Sequence, residues 1–377
     1  MASGGSNDLR GPGFLFTAQG WPYLLVPFIP LAIALDLANA SATAIFVTAA
    51  LGIVPTAALM GLATEELAAR SGPGIGGLLN VTFGNAPELI IALFALGEGL
   101  QEVVKASIIG SILGNILLVL GGAMLVGGIG RDRQYFNATA ANVQSLMLFL
   151  AAAAMVMPAI FELVEGQGLP SVNAERVDYG STVEQLSVAV ALVLAGTYIA
   201  GLLFSLRTHR DIFNPPEERT ETTFGWSARR SVSMLAIAGV AVGVMSEVLV
   251  GSISEASQSV GLSEFFIGVI VVAIVGNAAE HWVAVLVAYK NKMNLAVNIA
   301  IGSSAQVALF VAPILVFASF VIGPEPMALV FNGFEVGALL FAVLIANYVT
   351  HEGESTWFEG VQLLAVYLVL GLAFGFA

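Results

Sequence analysis

Eleven apolar stretches, each close to the ~20 residues an α-helix needs to cross a bilayer, follow one another along this 377-residue chain. They fall at 23–39, 42–64, 74–97, 103–128, 139–162, 182–206, 230–252, 263–289, 294–322, 328–348 and 355–376. In lipid the backbone has no water to bond to, so runs of this length are read as helices that satisfy their own N–H and C=O groups. The expectation is an all-α polytopic membrane protein. Charged residues are 10% of the chain, where a soluble domain carries about 25%. The loops are too short to house a catalytic domain and hold no nucleophile–base arrangement, so the chain does not read as an enzyme.

Basic residues fix the expected orientation, because loops on the cytoplasmic side accumulate them. Arg10, Arg70, Arg131, Arg133, Arg207, Arg210, Arg219, Arg229, Arg230, Lys290 and Lys292 fall on one side of the map, and only Lys105 and Arg176 on the other. That places the N-terminus in the cytoplasm and, with an odd number of spans, the C-terminus outside. Residues 1–22 are a Gly-rich tail without the features of a secretory signal. The short tails point to a bacterial plasma (inner) membrane.

Within the third and eighth stretches stand two near copies of one motif, Gly84-Asn85-Ala86-Pro87-Glu88 and Gly276-Asn277-Ala278-Ala279-Glu280. A carboxylate in mid-membrane costs about 2.5–3.5 kcal/mol on insertion scales, and here there are two. Asn and Glu, three apart, share a helix face, with small residues between them that admit a neighbouring helix. The motif glycines are 192 residues apart, and the same offset relates Gly110-Ser111 to Gly302-Ser303. Spans three and eight cross in opposite directions, so the halves are expected to form an inverted-topology repeat with its site near the midplane. The expected organisation is a tail (1–22), an extra transmembrane helix (23–39), a first five-helix repeat (40–206), a cytoplasmic linker carrying Pro215-Pro216 (207–229) and a second five-helix repeat (230–377).

The residues Leu79-Asn80-Val81-Thr82-Phe83-Gly84-Asn85-Ala86-Pro87-Glu88-Leu89-Ile90, Gly276-Asn277-Ala278-Ala279-Glu280-His281, Gly110-Ser111-Ile112-Leu113-Gly114-Asn115 and Gly302-Ser303-Ser304-Ala305-Gln306 resemble the signature regions of the calcium/proton exchanger family, in the calcium/cation antiporter superfamily. The likeness runs from about the second span to the C-terminus. Sodium-coupled relatives are expected to carry Ser/Thr-rich motifs ending in Pro-Glu, which are absent here. The resemblance implies a Ca²⁺/H⁺ antiporter with Glu88 and Glu280 as its ion-binding centre. Ala279 replaces Pro87 in the second copy, so a sharper backbone break is expected in the third span than in the eighth.

The chemistry of the residues is consistent with that implication. With no cysteine and only His209, His281 and His351, any metal has to be held by oxygen. Calcium takes six to eight hard oxygens. Glu88 and Glu280 supply charge, Asn85 and Asn277 coordinate or position, and Ser111, Asn115, Ser303 and Gln306 offer a second polar face. Gly84 and Gly276 let backbone oxygens approach, and Pro87 removes the helical partner of the Phe83 carbonyl. In an empty, poorly solvated site the paired carboxylates favour protons, and the metal displaces them. Glu247, deeper in the seventh span, is a further proton-coupling candidate.

Glu65, Glu66 and Glu255 are expected at the two mouths, as gates or attractors of cations. His281 reads as structural rather than as a proton relay, and Asp36, Glu335 and Glu359 as interfacial. Glu217, Glu218 and Glu221 form an acidic linker cluster that reads as a solvated loop. The net charge of −13 argues against nucleic acid and is compatible with a cationic substrate. The expected partners are Ca²⁺, H⁺ and the lipid bilayer, with Ca²⁺ as cargo, no cofactor, and self-association left open. The alternatives are an exchanger of another cation or one driven by Na⁺, and behind these a passive cation channel.

Overall fold

The computed structural model describes residues 17, 20–172, 179–209 and 224–377. Arg10, Arg176, Arg210, Arg219, the Pro215-Pro216 pair and the linker acids Glu217, Glu218 and Glu221 lie outside the described residues.

The helices are α1 (Phe28–Leu37), α2 (Ala42–Ala68), α3 (Gly72–Gly84), α4 (Ala86–Gly97), α5 (Gln101–Gly128), α6 (Ala138–Val164), α7 (Ser181–Thr208), α8 (Ala228–Gly251), α9 (Ile253–Val260), α10 (Glu264–Tyr289), α11 (Met293–Ala318), α12 (Gly333–Thr350) and α13 (Trp357–Phe376). Nine of them, among the described residues, are long and apolar enough to cross a membrane, and α3 with α4 makes a tenth if the bent pair is one span. The first apolar stretch, Trp21–Leu37, is shorter. Pro27 stands at the junction that divides it into a 3₁₀ turn (Trp21–Leu25) and α1, since proline has no N–H to carry a helical ladder through.

Helix starts follow local chemistry. Asn137, Ser227, Ser263, Asn332 and Thr356 each accept a backbone N–H of the first turn through the side chain, the usual role of short polar residues there. Asn332 with Glu335, and Thr356 with Glu359, form full capping boxes. This corrects one expectation: the tenth apolar stretch becomes helical only at Gly333, not 328. Glu335, in the first turn of that helix, is fully buried in the protein. Glu359, half-buried, likewise serves its own helix start.

Two ends can be told apart by their contacts. At one, β1 (Gln134–Tyr135) pairs antiparallel with β2 (Glu354–Ser355), and the Arg131 guanidinium donates to the carbonyls of Gly127 and Tyr289. Glu66 meets residues 224–226 of the linker region there as well. At the far end Thr43 bonds Ser259 (2.6 Å), Gln101 bonds the Glu325 carbonyl (2.7 Å) and Lys105 the Val330 carbonyl (3.0 Å).

The core runs through the middle of the bundle. The most apolar stretch of α5 is 83% buried and that of α11 72%, against 17% for α7 and 22% for α13. The central pair is therefore α5 and α11, and α7 and α13 are peripheral. Both central helices contain a π-helical turn, at Gly114–Val119 and Val307–Val311, each just past the Gly-Ser motif. Such turns re-aim side chains inside an otherwise regular helix.

Candidate functional site

The site is built where the two motif helices cross. At Asn85 the chain leaves α3 and enters α4 with φ −95° and ψ 14°, and the two helices meet at 42°. Pro87 stands in the first turn of α4, so the helix begins anew there. The Phe83 carbonyl, which proline cannot serve, accepts from the Asn85 N–H. Its ordinary helical partner is absent, as expected from Pro87. Through Asn277 and Glu280, α10 continues as unbroken helix; with Ala279 in place of proline, nothing interrupts the ladder.

The glycines set the distance between the helices. A β-carbon on Gly84 would lie 3.2 Å from Glu280 Oε1, and one on Gly276 would lie 3.2 Å from Glu88 Cγ. Each acid thus packs over the other motif's glycine. The two carboxylates lie within electrostatic reach of each other.

Amides and hydroxyls close the ring with the same exchange. Asn277 Nδ2 donates to Ser111 Oγ (3.1 Å), and Ser303 Oγ lies 3.2 Å from Asn85 Oδ1 and 3.3 Å from Glu280 Oε2. The asparagine of each half therefore meets the serine of the other. Asn85 Nδ2 also donates to Gln306 Oε1 (2.5 Å). Asn115 lies one turn beyond Ser111, after Gly114, against which the His281 ring packs. Both Glu88 oxygens, Asn277 Oδ1 and Asn115 Nδ2 are buried without a hydrogen-bond partner. Among the described residues no three His, Asp or Glu side chains converge as a resident metal cage would require. What converges is two carboxylates with neutral oxygens, which suits a hard cation that must also leave.

The acids predicted for the mouths fare differently. Glu65 is exposed and within electrostatic reach of Glu280. Glu66 points elsewhere and is buried: its carboxylate accepts the backbone N–H groups of Phe224 (2.6 Å), Gly225 (3.3 Å) and Trp226 (2.8 Å). Glu255 stands exposed on α9, and Glu247, which was expected to couple protons rather than to line a mouth, stands exposed on α8; both lie outside the cluster. Gln144 was not singled out from the sequence. Its amide lies 3.7 Å from a β-carbon placed on Gly302, and with Tyr198 and Gln306 it lines a cleft between α6, α7 and α11. A lone glutamine inside the apolar fifth stretch was the signal for it.

A family model described as "Sodium/calcium exchanger protein" matches residues 41–207 and 230–375. The chain is 43% identical over 374 residues to a Ca²⁺/H⁺ antiporter of Synechocystis, covering 94% of this chain and 96% of that one. Against the Ca²⁺/H⁺ antiporter ChaA of Bacillus subtilis the identity is 42%, over 93% and 97%. The solved structure of native YfkE superposes with a TM-score of 0.79 at 38% identity, covering 94% of this chain and all of that one.

Proposed function

Because this chain belongs to the sodium/calcium exchanger protein family, in its calcium/proton exchanger branch, we propose that it is a secondary antiporter exchanging cytosolic Ca²⁺ for H⁺ at one alternating-access site. The observation that carries the proposal is the crossing of the two motifs, each acid seated on the other's glycine, with both Glu88 oxygens buried and unpartnered. Two carboxylates cancel the charge of one Ca²⁺, and two protons cancel the same charge when the ion leaves. An empty, doubly charged site resists burial between the halves, so the protein changes face only when loaded with one or the other. Asn85, Asn277, Ser111, Ser303, Asn115 and Gln306 supply or orient the neutral oxygens.

The halves are read as inverted repeats, 40–206 and 230–377, joined by the linker 207–229. Supporting this, the serine and asparagine of each half find each other across the crossing. The N-terminus is assigned to the cytoplasm of a bacterial cell, and Trp21–Leu37 is the extra, short eleventh helix. Glu65 is the cytoplasmic mouth acid leading to Glu280. Glu66 serves as an anchor for the linker end and not as a gate, while Glu247 and Glu255 are assigned to the opposite approach.

The test is Ca²⁺ uptake into everted membrane vesicles under an imposed pH gradient. Glu88→Gln and Glu280→Gln are each expected to reduce gradient-driven uptake to background. Normal uptake in either variant would overturn the two-acid site. Replacing the proton gradient with a sodium gradient is expected to drive no uptake.

A further inference from the structure

The cleft between α6, α7 and α11 holds polar groups that the exchange reading does not use. Gln144 and Tyr198 stand in the apolar spans α6 and α7 and line the cleft together with Gln306. Gln144 Oε1 and the Tyr198 hydroxyl are buried and have no hydrogen-bond partner among the described residues. Tyr198 is only 8% exposed, and its ring stacks on Phe310 of α11 with centroids 5.0 Å apart, so the phenol is held in place. Orphaned polar groups at such depth take water as their partner where the space is polar and roomy enough. The cleft meets both conditions. Its inner volume of about 90 Å³ holds several waters at roughly 10–15 Å³ each, and each of the three helices contributes a polar side chain.

The inner wall of the cleft is also a wall of the ion site. Gln306 Oε1 accepts from Asn85 Nδ2 (2.5 Å), Asn85 Oδ1 accepts from Ser303 Oγ (3.2 Å), and the same hydroxyl lies 3.3 Å from Glu280 Oε2. A line of hydrogen-bonding groups thus runs from Glu280 to the cleft. Away from the site the lining continues through Leu202, Phe204 and Ser205, all partly exposed, in the last turns of α7. Because α6 starts just past β1 and α7 runs back towards that end, the cleft lies in the half of the molecule that bears β1.

The flank that carries Glu65 is built differently. Glu65 belongs to α2, which packs on α8 and α10, whereas the cleft belongs to α6, α7 and α11. Among the described residues that line the cleft none is charged. A Ca²⁺ ion that sheds its water needs six to eight hard oxygens, carboxylates among them, and the cleft offers too few. A proton needs only a chain of waters and hydrogen-bonding groups. Separate flanks also spare an incoming dication the repulsion of an outgoing proton in one narrow passage.

We propose that this cleft is the proton exit of the exchanger, with Gln144 and Tyr198 as positioning residues for its waters, while Ca²⁺ enters along Glu65. As Ca²⁺ reaches the centre, the protonated carboxyl of Glu280 gives its proton to the nearest water of the cleft, which hands one on towards the mouth. The carboxylate left behind becomes a ligand of the ion. The inference rests on the reading of Glu88 and Glu280 as the transport site.

The test compares two activities in everted vesicles. Uptake driven by a pH gradient requires protons to leave, whereas exchange of radiolabelled for unlabelled Ca²⁺ at equal pH moves none. Tyr198→Phe keeps the ring and loses the hydroxyl. It is expected to slow gradient-driven uptake about fivefold and to leave Ca²⁺ self-exchange at its original rate, and Gln144→Leu is expected to show the same split. A merely structural role would lower both activities together. An equal fall in both, or an unchanged gradient-driven rate in both variants, would overturn the proton exit.

Hydration is checked without transport. The chain has no cysteine, so a single one can be introduced and treated in nanodiscs with a charged methanethiosulfonate reagent, which requires a hydrated thiol. Leu202→Cys is expected to react and Val193→Cys, on the exposed apolar face of α7, is not. No reaction at 202 likewise sinks the proposal. Failure of the ion site has a different pattern, in which Glu88→Gln retains gradient-driven uptake.

Discussion

Asn85 is where the polar contacts of the site converge, with one amide meeting Gln306 and Ser303 at once. Replacing it by alanine takes the partner from the half-buried Gln306 amide oxygen and leaves Ser303 with Glu280 alone, a loss of about 1–3 kcal/mol for an unsatisfied group. Asn85→Ala is expected to raise the KM for Ca²⁺ uptake about tenfold or more, read in everted vesicles. The glycines give a sharper test. Gly276→Ala puts a methyl 3.2 Å from Glu88 Cγ and is expected to cut uptake at least severalfold, while Gly196→Ala, with nothing within 4 Å, leaves it unchanged. The acids, amides and glycines were legible in the sequence because they recur at one offset. Glu66 was not: nothing in a Glu-Glu pair says that one acid stays exposed while its neighbour turns inward to hold three backbone N–H groups of a segment some 160 residues away.

Among the elements, the break between α3 and α4 and the late start of α12 carry the most information. Pro87 marks the break in the sequence, and the continuous α10 shows what the same motif does without it. Pro87→Ala is accordingly expected to retain part of the uptake activity, since Ala279 occupies the matching place in the second motif, whereas Glu88→Gln retains none. The tenth span was placed too early because residues 328–332 are as apolar as a helix, and hydropathy does not register backbone shape. The Asn332–Glu335 box was the overlooked sign of where the helix begins. Asn332→Ala removes that cap, at a cost of about 1 kcal/mol, and is expected to lower the apparent melting temperature of the detergent-solubilised protein.

For the whole molecule, membrane class and span order follow from hydropathy alone, since each crossing has to be apolar and nearly the same length. Which spans are central does not. The runs of α5 and α7 are equally apolar, with mean hydropathy 2.2 each, yet one is 83% buried and the other 17%. The difference comes from small and polar residues in α5, such as Gly110, Ser111, Gly114 and Asn115, that permit close neighbours. A ligand bound between the halves stabilises the bundle as one unit. Ca²⁺ at 100 times its dissociation constant should add about 2.7 kcal/mol, seen as a rise in apparent melting temperature. Carrying both Glu88→Gln and Glu280→Gln is expected to abolish the rise.

The seating of each acid on the opposite motif's glycine has a genetic corollary. If the gene were divided between residues 209 and 224, either fragment would carry one carboxylate whose resting place was encoded on the missing partner. Expressed singly, neither would own a complete cradle for the metal; co-expressed and reassembled, both cradles would be restored together.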